Sequence, residues 1–210
     1  MIELIGTSHI AEESLEEVKQ KINETNPKIV ALELDPGRYQ SLKTGGKGEK
    51  PKNPILMIIS FLQEQLSLET GIKPGTEMLE ASKAAEKLDI PVALIDQDIK
   101  VTAKKIGGIS LLEKTKLLAY LTVGLLFPLS SMEIDLNKVP EEELVEEMTL
   151  RLKIAFPNLY QALIKERNQI MSQRLLELER RYGKVLGVVG AGHIKGLKEE
   201  LRERSINQQA

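Results

Sequence analysis

Hydrophobic and polar residues follow two alternating patterns along this 210-residue chain. Around Leu15, Val18 and Ile22, apolar residues recur at three- and four-residue intervals, which predicts an amphipathic helix. Short and nearly continuous apolar runs, typical of strands covered on both faces, occupy residues 2–5, 29–34, 91–95 and 185–189. Strands that alternate with helices predict an α/β fold, with a central, mainly parallel sheet of about four or more strands and flanking helices.

A long helical section interrupts this alternation before the last strand. Residues 110–182 have helical patterns almost throughout, with breaks near Pro128, Pro140 and Pro157. Its longest apolar stretch, 117–129, is shorter than the ~20 residues that span a bilayer, so we predict a buried helix there. The whole chain, 1–210, is predicted to form one domain with a helical insertion at about 110–182.

Composition excludes several classes of function. The chain has 29 basic and 31 acidic residues that are well mixed, and its aromatic content is 3%. Nucleic-acid binding is therefore not expected. The chain has no cysteine, which excludes disulfides, thiolate metal sites and cysteine nucleophiles and fits a reducing compartment. Because the N-terminus lacks a signal-peptide pattern, we predict a cytoplasmic location.

The two histidines of the chain occupy matching positions. His9 lies three residues after Gly6, and His193 lies three residues after Gly190; both follow an apolar strand and precede a helix. A helix N-terminus favours neutral imidazole, the form that binds a metal ion or accepts a proton. The glycines would allow a tight turn off the strand. The alternative is a pair of polar residues that only cap helices.

Two glutamates stand on predicted apolar faces. Glu33 ends the second apolar run in phase with Ala31, where a carboxylate is unfavourable unless it is paired or bound to a metal. Alternatively, the strand simply ends there. Glu77 opens a predicted helix and shares its apolar face with Leu88, although an acid in the first turn is also ordinary. Asp35 is predicted to be a helix cap.

Arg167 lies in the middle of the apolar stripe of the helix that follows Pro157. An arginine that faces a core should meet a carboxylate or an anionic ligand. Arg174 shares the stripe nearer its end, where a side chain that extends to solvent explains it better. Asn168 lies off the stripe and is a weaker candidate.

Other motifs are incomplete or undecided. Gly190-Ala191-Gly192 lacks the last glycine of a dinucleotide-binding turn, and no phosphate-binding loop, HExxH or GxSxG pattern is present. The Gly/Lys-rich tract at 44–53 predicts a loop, which is either a mobile segment beside a site or a plain connector.

Several segments together resemble one known family. The run GTSHIAEESLEEVKQKINETNPKIVALELDPGRYQSL resembles the opening of the TraB/PrgY/GumN family, which is related to the Tiki proteins. Further matches are PGTEMLEASKAA, LIDQD, ERNQIM and VVGAGHIKGL. Their order and spacing agree with the family over nearly the whole chain.

The resemblance implies an α/β fold with paired G-x-x-H motifs around the site. Tiki-like relatives are metal-dependent proteases that use manganese or cobalt, and plasmid-borne relatives are linked to shutdown of peptide-pheromone signals. Many microbial members carry membrane segments after this domain, so the chain could be the soluble domain of an anchored protein. Carried onto matching positions, the site comprises His9, Glu33, Glu77, Arg167, Asn168 and His193.

Two main hypotheses follow. In the first, a metal-dependent peptidase binds Mn, Co or Zn through His9 and His193 with Glu33 or Glu77, and the other glutamate is the general base. Arg167 would stabilise an oxyanion or bind a substrate carboxylate. In the second, the same pocket binds or sequesters a signal peptide without turnover. A weaker third hypothesis is a haem or metal protein with one axial histidine. The ligand would be a peptide or small molecule, and a homo-oligomer stays open.

Overall fold

A computed structural model describes residues 1–7, 12–45, 57, 75–126 and 142–207. The sheet in this part of the chain has four parallel strands in the order β1-β4-β2-β3. They are β1 Ile2–Thr7, β2 Ile29–Leu32, β3 Val92–Leu94 and β4 Val185–Gly190. The α/β class with a parallel sheet is therefore confirmed. The last strand in sequence, β4, lies between β1 and β2, with Val188 opposite both Ile5 and Leu32.

Helices cover the sheet and form the section between β3 and β4, which confirms a large helical insertion before the last strand. The first helices are α1 Glu12–Thr25, α2 Pro36–Thr44 and α3 Thr76–Lys87. The insertion contains α4 Ile99–Gly107, α5 Leu111–Leu126, α6 Glu142–Ala155, α7 Pro157–Tyr160, a π-helical turn Gln161–Lys165 and α8 Glu166–Tyr182. Helix α9, Ala191–Asn207, follows β4.

The two inner strands are buried on both faces, which explains their continuous apolar sequence. Alternate residues of β2 face opposite sides of the sheet. Val30 and Leu32 pack with the core formed with α1 and α3, whereas Ile29 and Ala31 pack with α8 and α9. A side chain at position 33 therefore faces α8 and α9, as the strand periodicity predicts.

The predicted buried helix at 117–129 is wrong where its side chains are described. Leu118 and Tyr120 of α5 are 60% and 65% exposed. Only one side of this helix packs against described residues: Leu117 joins a small core around Phe156, and Tyr120 touches the Phe156 ring edge-on.

Some predictions concern positions that lie outside the described residues. These are His9, residues 46–53 of the Gly/Lys-rich tract and the breaks at Pro128 and Pro140. Gly190 is the last residue of β4 and helix α9 begins at Ala191, so the chain turns directly off the strand at this glycine, although its backbone is not left-handed. Helix α9 therefore already includes His193, which the sequence placed before the helix.

Asp35 caps helix α2 as predicted. Its Oδ1 accepts hydrogen bonds from Gly37 N at 2.8 Å and Arg38 N at 3.1 Å, and Pro36 is the first helical residue. We expect Asp35→Ala to lower the free energy of unfolding by about 1 kcal/mol in urea titration. Asp98→Ala is a matched control, because Asp98 is an exposed cap whose side chain, among the described residues, accepts from Lys100 N alone. The loss in Asp98→Ala should be the smaller of the two. Equal losses in the two variants would contradict this expectation.

Candidate functional site

Three strands bring polar groups to the carboxyl edge of the sheet. Glu33 directly follows β2, Asp96 lies two residues past β3, and Gly190 ends β4. Both carboxylates are 4% exposed. In parallel sheets, ligand sites form beyond this edge. The arrangement therefore places two buried acids where a site is expected.

Arg167 joins the two carboxylates, as expected for an arginine in an apolar stripe. Its Nε donates to Asp96 Oδ1 at 2.9 Å and its Nη2 to Asp96 Oδ2 at 2.8 Å. Nη2 also pairs with Glu33 Oε1. Burial lowers the pKa of Arg167, but the charges of Glu33 and Asp96 outweigh it and leave that pKa above its ordinary value. The guanidinium is thus held in its charged form.

Both interpretations of Glu33 apply: the strand ends just before it, and its buried carboxylate is paired. The strand does end, at Leu32, but Glu33 N still donates to Val188 O of β4 at 3.0 Å. Its side chain turns to the α8 side, where Oε2 accepts from Gly190 N at 2.7 Å. The backbone amide at the end of β4 therefore fixes one oxygen, and Arg167 fixes the other.

Asp96 has further cationic neighbours. Arg38 Nη1 lies 3.7 Å from Asp96 Oδ2, and Arg174 Nη1 donates to the Asp96 backbone carbonyl at 2.5 Å. The prediction that Arg174 only extends to solvent is therefore wrong. About two turns along the same helix stripe as Arg167, it still reaches the segment after β3. Sequence analysis missed Arg38, which enters the site only because α2 folds back over the sheet edge.

Asn168 has a larger role than its position off the apolar stripe suggested. It is buried, and its Oδ1 lies 2.6 Å from His193 Nδ1 in the first turn of α9. Since an amide oxygen only accepts hydrogen bonds, Nδ1 carries the proton and His193 presents Nε2 on its other side. That Nε2 lies 3.3 Å from Glu33 Oε1.

A π-helical turn precedes Arg167 and Asn168 and explains why the helical wheel placed Asn168 off the buried face. Residues Gln161–Lys165 wind more loosely than an α-helix, and Leu163 O accepts from Arg167 Nη1 at 3.1 Å. The looser turn shifts the helical phase, so a regular wheel misplaces residues beyond it. Gly196 on α9 also marks the position of Asn168. A Cβ atom at residue 196 would lie 2.2 Å from Asn168 Nδ2, so only glycine leaves room for this side chain.

Glu77 is buried as its helical position predicted, although Leu88, which was expected on the same face, is 49% exposed. Leu88 lies just past the end of α3 and turns outward. Helix α3 packs with Val30 and Leu32, so Glu77 approaches from the face of the sheet opposite to Arg167. Because α3 leads into the start of β3, its first turn lies toward the carboxyl edge.

The contacts described above bring together five side chains at this edge: Glu33, Asp96, Arg167, Asn168 and His193.

The chemistry of these donors fits a divalent ion only in part. His193 Nε2 and Glu33 Oε1 are an imidazole and a carboxylate, both suitable for Mn, Co or Zn. Within the described ranges, however, no three His, Asp or Glu side chains are arranged to hold a metal ion. Two donors are fewer than the three that a catalytic zinc normally takes from the protein. His9, which the sequence predicts as a further ligand, lies outside the described residues.

Fold and site together define an α/β protein with an arginine-bridged acidic cluster and a fixed histidine at the carboxyl edge of its sheet. The model of the TraB/PrgY/gumN family matches residues 1–208. The chain therefore belongs to the TraB/PrgY/gumN family.

Known proteins with similar sequences agree with this assignment. The chain is 33% identical over 221 residues to an uncharacterized protein of Methanocaldococcus jannaschii, with 96% of this chain and 53% of that protein covered. It is 28% identical to the TraB domain-containing protein of Bos taurus and 27% identical to that of Homo sapiens, each over 93% of this chain and 61% of the relative. The chain spans about half to three fifths of the length of these relatives.

No helix in the described part of the chain is long and apolar enough to cross a membrane.

Proposed function

We propose that this chain is a metal-dependent hydrolase that acts on peptides, with its site at the carboxyl edge of the sheet. The observation that carries the proposal is the close approach of His193 Nε2 to Glu33 Oε1, 3.3 Å apart. The Asn168 contact places the His193 proton on Nδ1. Two groups with lone pairs therefore face each other in a buried place.

Arg167 already supplies one positive charge to Glu33 Oε1, and a cation that also contacts His193 Nε2 would stabilise the contact further. If His193 is neutral, its Nε2 lone pair points at a carboxylate oxygen, which is repulsive unless a cation lies near both. If His193 is an imidazolium ion, the contact is an ordinary ion pair. The first state is the one that a metal site would use, since metal-binding histidines typically hydrogen-bond through the other ring nitrogen.

The surrounding residues hold these two groups in place. Asn168 orients the His193 ring, while Gly190 N and Arg167 fix the two oxygens of Glu33. A bound divalent ion would acidify a coordinated water. Glu77 is proposed as the general base, approaching from the other face of the sheet. We assign Arg167 mainly a positioning role, because Asp96, Glu33 and Leu163 O already use four of its five N–H groups.

Metal binding by purified protein tests the proposal. After chelation and titration with Mn²⁺, Co²⁺ or Zn²⁺, wild type should bind one ion, and His193→Ala should lose it. Asn168→Ala should weaken metal affinity by about 10–100-fold, because it removes only the hydrogen bond that orients the ring. Gln173→Ala is the control, since this exposed side chain of α8 bonds only its helix neighbour Glu177 within the described part of the chain.

Peptide turnover by the same variants decides between hydrolysis and simple binding. Wild type loaded with metal should cleave members of a quenched-fluorescence peptide library, and His193→Ala should not. If His193→Ala and His9→Ala cleaved the peptides as fast as wild type, the proposal of a metal-dependent hydrolase would be overturned. Stoichiometric peptide binding without cleavage, with metal present, would favour the sequestering regulator. We propose a cytoplasmic site of action, which fractionation of cells that express the protein would test.

A further inference from the structure

The free edge of strand β1 lies along a large groove. In the sheet order, β1 has β4 on one side and no strand on the other within the described residues. Leu4, Ile5 and Gly6 line a cavity of about 820 Å³ that α1, α6 and α9 enclose. This volume is within the range of sites that hold ligands of several residues or a drug-sized molecule.

The backbone of β1 offers unused hydrogen-bonding groups to this groove. Val185 N donates to Met1 O at 3.0 Å, which sets the phase of the β1–β4 ladder. Alternate residues of a parallel strand bond to opposite sides, so Leu4 and Gly6 direct their N–H and C=O groups away from β4. Between Leu4 or Gly6 and any other described residue, no backbone hydrogen bond occurs on that side. An exposed strand edge of this kind is a template for another strand.

Helix α6 closes the outer side of the groove. Its Val145 and Leu150 line the same cavity as β1, and Glu146 bonds Lys195 of α9 at 2.6 Å. A second copy of the sheet could not pair with β1 without displacing α6, because it would bring its own covering helices. The space between strand and helix therefore suits one isolated extended segment.

The charge of the lining restricts that segment. Five glutamates and four lysines line the groove, so opposite charges nearly cancel. A polyanion such as nucleic acid needs a clear excess of positive charge. A peptide of low net charge, with apolar side chains between the apolar walls, matches this lining better.

The groove is also continuous with the candidate site. Two residues beside His193 line the groove: Asn168, which hydrogen-bonds the His193 ring, and Gly192, which precedes His193 in the chain. A segment paired with β1 near Gly6 would thus pass beside the carboxyl edge of the sheet.

We propose that the groove binds an extended peptide of low net charge by strand addition to β1, through the backbone of Leu4 and Gly6. This binding goes beyond the proposed hydrolysis and needs neither a metal ion nor turnover. A failure of either proposal can therefore be distinguished from a failure of the other.

Nuclear magnetic resonance on the metal-free protein labelled with nitrogen-15 tests the pairing. The probe is the peptide acetyl-Ser-Val-Thr-Val-Ser-Val-Thr-Lys-amide. Titration should move the amide signals of Leu4 and Gly6 and slow their hydrogen exchange, while Glu3 and Ile5, which already bond β4, change little. The proposal is overturned if the Leu4 and Gly6 amides are already as protected as Glu3 and Ile5 in the free protein. It is equally overturned if the signals that move lie elsewhere, or if none move at millimolar peptide.

Modified probes and groove variants give a second measurement that does not rely on mutating β1. Methylating every second peptide nitrogen should abolish binding in one register and leave it largely intact in the other, because a strand bonds through alternate residues. Gly192→Leu should weaken binding at least about tenfold, since its Cβ enters open space and the larger side chain fills the groove. Gly192→Ala is the matched control, with little change. Equal sensitivity to both methylation registers, or unchanged affinity in Gly192→Leu, would contradict strand addition.

Discussion

Replacing Arg167 with methionine is expected to lower the free energy of unfolding by about 3–5 kcal/mol. The substitution keeps much of the side-chain length but leaves Glu33 and Asp96 buried without their shared cation. Arg38, at 3.7 Å from Asp96, compensates only in part, and it is itself one-third exposed. Urea-induced unfolding, followed by circular dichroism, measures the loss.

Two comparisons separate this effect from a general loss of an ion pair. Arg151→Met removes an exposed pair with Glu147 on α6 and should cost no more than about 0.5 kcal/mol. Adding Glu33→Gln and Asp96→Asn to Arg167→Met should recover part of the loss, because the buried negative charges are removed as well. If Arg167→Met and Arg151→Met were equally mild, the buried cluster would not contribute as described.

Gly196→Ala is expected to destabilise the protein by about 1–3 kcal/mol, although alanine normally favours a helix interior by about 0.5–1 kcal/mol. The reversal follows from geometry, because the new Cβ atom would lie 2.2 Å from Asn168 Nδ2. Either α9 moves away from α8 or Asn168 leaves His193. The midpoint of thermal unfolding should therefore fall, and the signals of the His193 ring should shift.

Gly192→Ala provides the matched control on the same helix. Its Cβ would meet no described residue within 4 Å, so helix propensity alone should act and stability should rise slightly. If both alanine variants were stabilised, the tight packing of Gly196 on Asn168 would be disproved.

The strands and part of the site were predictable because each rests on local sequence. Continuous apolar runs reveal strands that are buried on both faces, and the period of two places Glu33 on the same side as Ala31. A charge on an apolar face also implies an opposite charge nearby, which is how Arg167 implied a carboxylate. The helix pattern alone does not identify that partner, since Asp96 lies 71 residues away along the chain.

The missed features depend on irregular geometry or on tertiary contacts. The π-helical turn at Gln161–Lys165 changes the helical phase, so a regular wheel undervalued Asn168. Arg38 and the Gly190 amide reach the acids only after α2 and β4 are in place. The early start of α9 moved His193 from a cap into the first turn, because strand and helix join without a connecting loop.

The central position of β4 also determines when the domain can form during synthesis. Strands β1 and β2 are joined only through β4, which lies between them, and β4 is made after more than 180 residues of the chain. Contacts this distant in sequence slow folding, because a long loop must close before they contribute. On the ribosome, the nascent chain would therefore expose the unpaired edges of β1 and β2 until translation passes residue 190. Chaperones that bind apolar extended segments would have the most time to act on these two strands.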